Sequence, residues 1–404
     1  MDGGIPRTAR FPQLPQRRWL YEESDGPLWN RLPRVGAVRA FEIPEGLVLI
    51  QQEDIRAVLR HPAFVAWNVW ALERNPAVDR RFVEWRRRQL LSMEGPSHAR
   101  LRRLAGPVLS ARAMEAHRPR MRALAERLLE QAAAGPCEAD AALCGPYSLL
   151  LMCALTDLPE ADAALIGELS ESWMSWMAGG PAAVPRALSA REALEAYLAP
   201  RVEARRGGGG ADLISLFARA RSGEECMSSD EALDTAAGVI AAGIQSTRRA
   251  FAIGLYLFAR HPEQWAKLVQ LPALAESAVS EVLRVLPPFP IISRIALEDA
   301  EVNGLAIPAQ TKTLLSVICA SHDPRLHAEP ERFDICRAPT PMLAFGAARH
   351  ACVGVHLARI QLEEALKVLS AAVERIELDG EPQWRPAWEA LNGPASLPLR
   401  FKLR

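Results

Sequence analysis

Residues 345–354 read Phe345-Gly346-Ala347-Ala348-Arg349-His350-Ala351-Cys352-Val353-Gly354 and run on into VHLARIQLEEALKVL, an amphipathic helical pattern. A turn-rich loop therefore brings a cysteine to the start of a helix. There the helix dipole and the unpaired N–H groups of the first turn favour a thiolate. A thiolate so placed can serve as a nucleophile or as a metal ligand. Gly354, two residues further on, lets something flat and bulky approach the helix closely. A cysteine near a helix start is most often structural. The Phe, Gly, His and Gly at fixed offsets around Cys352 are what argue for chemistry.

Composition narrows the partners. At a prior of about 150 residues per domain, the 404 residues suggest two or three domains or one large one. Apolar residues make up 49% and charged residues 24%, an ordinary globular balance that excludes disorder and fibrous arrays. Lys+Arg and Asp+Glu both number 48, and a net charge of zero speaks against nucleic acid as the main partner. The seven cysteines include no C-x-x-C pair, so neither a disulfide scaffold nor a zinc site is indicated and a reducing cytoplasm is the natural setting. The N-terminal stretch MDGGIPRTARFPQLPQRRW has no apolar core of signal-peptide or membrane-span length, so a soluble, unanchored protein is expected.

Outward from the cysteine loop, the chain divides by periodicity. Residues 1–35, rich in Pro, Arg and Gly, read as an extended arm. The run GAVRAFEIPEGLVLIQ, with a Pro-Glu-Gly turn, predicts a strand hairpin between Gly36 and Gln52. From about 52 to 270 apolar residues recur at helical spacing. The break Arg205-Arg206-Gly-Gly-Gly-Gly210 lacks a preceding strand and the Gly-Lys-Ser/Thr ending of a phosphate loop, and reads as a helix–helix linker. After Pro287 come the short β-like runs IISRIAL, AEVNGLAIP and TKTLLSVICA, then the helix that follows Gly354. Helices first and a smaller β-rich part last mean an α+β class, predominantly α-helical.

Further motifs join the cysteine loop. Glu281-Val-Leu-Arg284 puts an acid and an arginine on one helix face, and Pro330-Glu331-Arg332-Phe333 stands downstream. Alone, such a pair reads as a solvated surface pair. Together with the loop, they resemble the heme-thiolate enzymes of the cytochrome P-450 superfamily, whose ligand loop reads F-G-x-G-x-H-x-C-x-G and which carry an E-x-x-R helix and a P-E-R-F segment. The 71-residue interval from Glu281 to Cys352 suits that family. The resemblance implies a single domain over 1–404, heme b as cofactor, and Cys352 as axial iron ligand. Phe345 and Gly346 would lie beside the sulfur, and a Glu281–Arg284–Arg332 triad would brace the loop. Propionate contacts would come from His98 and Arg102 (four apart in GPSHARLRRLAGPVLS), from Arg294 and from His350. Two departures are backbone-related: Ala348 and the last residue of Ile307-Pro308-Ala309-Gln310 stand where the family usually has Gly.

A third departure concerns mechanism. Ser228-Ser-Asp-Glu231 resembles a capping box, and it opens a helical pattern running to about Arg260. Within it stands Ala242-Gly243-Ile244-Gln245-Ser246-Thr247, where the family's distal helix reads A-G-x-(Asp/Glu)-Thr-(Thr/Ser). Ser246 keeps a hydroxyl, but Gln245 cannot titrate and can only orient water. One reading is a monooxygenase that draws its protons through water or a substrate group. The other is an atypical heme-thiolate enzyme that does not activate dioxygen normally: peroxide use, oxidative coupling or cyclisation, or group transfer such as nitrene transfer. A non-catalytic scaffold is a remote third reading, opposed by the presence of Cys352. Trp67, Trp70 and Trp85 before the His98 helix, Trp173 and Trp176 within 165–190, and Phe289 and Ile291 after Arg284 are the candidate pocket walls. They suggest a small apolar or aromatic substrate of secondary metabolism. The run Arg80-Arg81…Arg86-Arg87-Arg88 reads either as a solvated face or as a docking or substrate-anion patch. Soluble relatives take electrons from a ferredoxin or flavodoxin-type donor, with Arg103, Arg349 and Arg359 as contributors to its docking face here; a monomer is expected.

Overall fold

The computed structural model describes residues 39–43, 46–385 and 391–404. The proposed arm at 1–35 and the Pro44-Glu45 corner of the hairpin lie outside the described residues. The helices that position the site are α1 (Arg80–Arg88), α2 (Gly95–Ala105), α3 (Gly145–Thr156), α4 (Ala163–Met174), α5 (Val184–Arg205), α6 (Ser229–Arg260), α7 (Ala275–Val285) and α8 (Val355–Ala372). The strands are β1 (Ala40–Ile43), β2 (Gly46–Leu49), β3 (Phe64–Ala66), β4 (Ile291–Ala296) and β5 (Lys312–Ser316).

Helix α6, the predicted long one, starts where its capping box does. The Ser228 hydroxyl accepts from the Glu231 N–H at 3.1 Å, and the Glu231 carboxylate accepts from the Ser228 N–H at 2.9 Å. Its 32 residues span roughly 48 Å at 1.5 Å per residue, so one rod reaches through the whole helical part. Its second half is buried almost all round, which is why the pattern there loses amphipathic character. Arg248 and Arg249 pin it laterally: both donate to the buried Asp140, Arg248 at 2.6 and 2.9 Å and Arg249 at 3.1 Å. Helix α8 crosses behind it, and Gln361 of α8 donates to the Thr247 hydroxyl at 3.1 Å. The glycine-rich break after α5 leads into a short helix at Leu213–Ala218, as a linker should.

The five-stranded sheet has the order β1-β2-β5-β4-β3, with β1 and β2 forming the predicted hairpin. In β4 the two-residue alternation of a strand divides neighbours between faces. Ile291 packs with Phe41, Val48, Ile50 and Leu314, whereas Ile292 joins the cluster that holds Ala347 of the cysteine loop. Arg294 is therefore on the loop side, paired with Thr313 on one neighbour and Ala66 on the other. One buried apolar cluster runs from Leu72 to Phe401 and knits the helices to the C-terminal strands. Among the described residues no helix is long and apolar enough to cross a membrane.

Candidate active site

The cysteine loop is shaped by its own backbone. Gly346 N–H donates to Leu343 C=O at 2.7 Å, Cys352 N–H to Phe345 C=O at 2.8 Å, and Ala351 N–H to Ala348 C=O at 3.1 Å. These bonds close the loop into two nested turns ending at the sulfur. Gly346 has φ +68°, as glycine allows, but Ala348 also sits in the left-handed region at φ +57°. Gln310, the other departure from a family glycine, has φ +63°. Both substitutions thus fall where a side chain costs about 1 kcal/mol. Ala348→Gly is expected to raise stability by about 0.5–1 kcal/mol, measured as a higher urea midpoint at unchanged m-value.

Cys352 remains exposed although protein packs closely around it. Burial pushes its thiol pKa up, while the Gly354 N–H and the Arg102 cation act in the opposite direction. A Cβ added at Gly354 would meet nothing nearer than the Cys352 sulfur, at 4.0 Å. Protein packing does not demand glycine there; its smallness leaves the surface beside the sulfur free.

Three of the four polar groups expected near this sulfur, His98, Arg102 and Arg294, have no anionic partner among the described residues. His98 is buried, and its Nε2 has no hydrogen-bond partner. Burial first, then the positive neighbours His350, Arg102 and Arg349, hold its pKa below the usual imidazole value against the pull of Glu94. Arg294 makes one hydrogen bond, to the Ser293 carbonyl at 3.0 Å, and burial pushes its pKa down to about 10. Neither Arg102 nor Arg294 forms an ion pair with a carboxylate among the described residues. A buried histidine nitrogen and two guanidinium groups without counter-ions are what a bound dicarboxylate would complete. His350 differs. Its Nε2 meets Glu94 at 3.0 Å, and Arg349 donates to the other Glu94 oxygen at 2.8 Å and to the Phe64 carbonyl at 2.8 Å. Burial alone would raise the Glu94 pKa, but His350 and Arg349 outweigh it and hold it low. The loop histidine is thus already paired, and its ring stacks 4.6 Å from that of His98. Glu94 went unrecognised in the sequence because no motif surrounds it.

On α6 the residues of the departing motif separate by face. Ala242 is exposed, and Val239, Gly243 and Ser246 are half-exposed, while Ile240, Ala241, Ile244 and Gln245 between them are buried. The Ser246 hydroxyl donates back to the Ala242 carbonyl at 2.8 Å, the local bond that loosens a helix turn. Gln245 is buried beside this open stripe. Thr247 is buried and held by Gln361, so it joins α6 to α8 rather than facing the opening. A Cβ on Gly243 would lie 2.5 Å from the Met152 Cε of α3, the flexible end of a side chain that would have to shift aside.

Two expectations need correction. Glu281 and Arg284 are buried and doubly bonded, at 2.7 and 2.9 Å, and Arg284 reaches the carbonyls of Ser321, Pro330 and Arg332. The Arg332 side chain, however, is 53% exposed and pairs with Glu329. The second cation on Glu281 is Arg337, at 3.3 Å, beside the Asp334 N–H at 2.9 Å. Arg332 contributes its backbone, because its side chain leaves the turn on the solvent side. Among the pocket candidates, Trp85, Trp173 and Trp176 are fully buried core residues. Trp67 and Trp70 lie against Lys312 and Arg74 as cation–π partners at 3.8 and 4.1 Å. Phe289 is half-buried, and Ile291 points to the far side of the sheet, so Ile292 is the residue that approaches the loop, 4.0 Å from where a Gly346 Cβ would stand. Of the expected docking arginines, Arg349 is held by Glu94, Arg359 by Glu276 at 3.5 Å and Arg103 by Glu225 at 2.6 Å.

A family model for cytochrome P-450 matches residues 189–371. The chain is 34% identical over 316 residues to luteothin monooxygenase of Streptomyces thioluteus, covering 77% of each protein. It is 33% identical over 369 residues to mycinamicin IV hydroxylase/epoxidase of Micromonospora griseorubida, covering 88% of this chain and 89% of that one. Among solved structures, it superposes on CYP109Q5 from Chondromyces apiculatus with a TM-score of 0.81 at 25% identity, over 91% of this chain and 93% of that one. A free cysteine sulfur at the head of α8, a set of cations without counter-ions and an opened stripe on α6 belong to the same architecture. The chain is a member of the cytochrome P-450 family, a heme-thiolate monooxygenase.

Proposed function

We propose that this enzyme oxygenates a small, mainly apolar metabolite of secondary metabolism, using heme b held by Cys352, with His98, Arg102 and Arg294 at its propionates. The observation that carries this reading is the set of three buried or half-buried cationic or donor groups without anionic partners around an accessible sulfur. When bound, the heme supplies dioxygen activation under the electron push of a thiolate. The chain's own residues do the rest. The Phe345–Cys352 and Leu343–Gly346 hydrogen bonds fix the sulfur's position. Val239, Ala242 and Ser246 offer the distal surface, small enough to admit a substrate. Ser246 can release its bond to the Ala242 carbonyl and donate to water instead. Gln245 can hold that water but cannot hand on a proton.

The coarser expectation of a redox donor and a small-molecule substrate agrees with the family; a ferredoxin or flavodoxin-type donor, a monomer acting as one domain and a cytoplasmic setting are our inference. The free state of all seven cysteines supports the last of these. The decisive experiment reconstitutes purified holoenzyme with a surrogate ferredoxin and reductase and screens apolar ligands for heme spin-state shifts and oxygenated products. Product formed without dioxygen would remove the monooxygenase reading. In the same assay Gln245→Asp is expected to raise product per electron consumed severalfold, because a titratable group restores a proton path of the kind worth about 10²-fold or more. Equal coupling in both proteins would show that protons arrive elsewhere.

A further inference from the structure

The residue at the head of α2 turns its carboxylate away from its own helix. Glu94 stands at the N-cap position with extended backbone, φ −132° and ψ 165°, yet its side chain accepts no capping hydrogen bond. Gly95, next to it, sits at φ +70°, where an added Cβ would meet no atom within 4 Å. The Glu94 carboxylate reaches the cysteine loop instead. One oxygen meets His350 Nε2 at 3.0 Å, and the other accepts from the Arg349 Nε–H at 2.8 Å. Arg349 also donates to the Phe64 carbonyl, so this one carboxylate joins the loop, α2 and β3. The His350 side chain is 6% exposed and the Glu94 side chain 31%, so the contact is sheltered from water.

Glu94, His98 and Arg102 follow one another at intervals of four residues and share a helix face. That face looks at the loop along its length. Glu94 touches His350, the His98 ring lies 4.6 Å from the His350 ring, and the Arg102 cation acts on the Cys352 thiol. Arg102, Arg294 and Arg349 act on this cluster as cations and Glu94 as its one carboxylate. The excess is two positive charges, and a heme carries two propionates. We infer that Glu94 is a positioning residue for heme: it clamps Arg349 and His350 to the head of α2, keeps His350 off the propionates, and leaves His98, Arg102 and Arg294 to hold them. Two effects of opposite sign are in play. As a negative charge Glu94 repels propionates, but as a clamp it orders the loop before heme arrives and removes that cost from binding. The clamp prevails, because its two contacts are direct and charge-assisted while the surplus guanidinium groups offset the repulsion.

This inference rests on the proposed heme site, and its test tells the two apart. Purified ferric holoenzyme is mixed with excess apomyoglobin, which captures released hemin, and the Soret change gives the rate of heme loss. Glu94→Ala is expected to speed that loss about tenfold or more, the scale of lost charge-assisted hydrogen bonds. Its apoprotein should melt near the wild-type temperature, since no capping bond is lost. A carboxylate that only repelled the propionates would give the other sign, slower loss in Glu94→Ala. Glu94→Gln, isosteric and uncharged, should also lose heme faster than the wild type, and it decides the matter if Glu94→Ala does not fold. Glu94→Asp, which keeps the charge, should recover most of the retention. His350→Phe keeps a ring against His98 and loses the bond to Glu94. It should speed heme loss in the wild-type background and add nothing in Glu94→Ala, because the two residues act as one unit. A wild-type protein that takes up no hemin, or lacks the reduced-CO band of thiolate ligation, removes the heme site and the clamp with it. With that band present, three results overturn the clamp alone: heme loss unchanged or slower without the Glu94 carboxylate, an aspartate no better than alanine, or a full His350→Phe effect in the Glu94→Ala background.

Discussion

Cys352→Ala is expected to abolish the reduced-CO Soret band of thiolate ligation and to reduce monooxygenation to background, while the fold stays intact. The separation follows from how the loop is built. Its shape comes from main-chain bonds, Phe345 C=O to Cys352 N–H and Leu343 C=O to Gly346 N–H, which an alanine keeps. The thiol has no side-chain partner in the protein that its loss would orphan, so the cost to stability is confined to about 1 kcal/mol of lost packing. Reactivity loses everything, because no other group stands at that point to donate an anionic ligand: His350, the nearest titratable neighbour in the loop, is turned to Glu94. Circular dichroism and thermal melting should therefore match the wild type, and the absorption spectrum should not. A variant that retains the thiolate band would remove Cys352 from the site.

Glu281→Ala has the opposite signature, with stability lost first. The carboxylate is 3% exposed and takes four hydrogen bonds: two from Arg284, one from Arg337 and one from the Asp334 N–H. Deleting it leaves the Arg284 guanidinium buried without its counter-ion, at a cost of about 3–5 kcal/mol. It also frees the guanidinium that ties α7 to the carbonyls of Ser321, Pro330 and Arg332. That network lies upstream of the cysteine loop in the chain, so holoprotein yield should collapse with stability. Paired substitutions check the corrected partner. Arg337→Ala should cost about 1–3 kcal/mol, whereas Arg332→Ala should stay within about 0.5 kcal/mol, since its side chain is solvated. Denaturant midpoints of the two variants measure this directly; equal losses would restore Arg332 to the triad.

Legibility in the sequence followed the range of the interaction. The capping box at Ser228, the hairpin around residues 40–49, the long distal helix and the cysteine loop were all readable, because each is set by residues a few positions apart. Both backbone departures were visible too. Ala348 and Gln310 stand out against a glycine pattern, and each has the positive φ that the pattern implies. The two misassigned side chains, Arg332 and Ile291, fail for another reason. Each lies in the right segment, but a turn brings Arg337, five residues on, to Glu281 in one case, and strand alternation sends the adjacent Ile292 towards the loop in the other.

By itself the sequence determined the family, the class of fold, the cysteine proposed to carry the chemistry and the absence of a titratable side chain at Gln245, since all of these are short-range patterns of residue type. Tertiary structure alone decided which charges are neutralised. Arg86 and Arg88 are two steps apart in one run, yet one meets Asp234 and the other meets only indole rings and a serine. The energy of a charge depends on what distant segments bring within a few ångströms of it and on whether water is shut out. No local pattern carries that information.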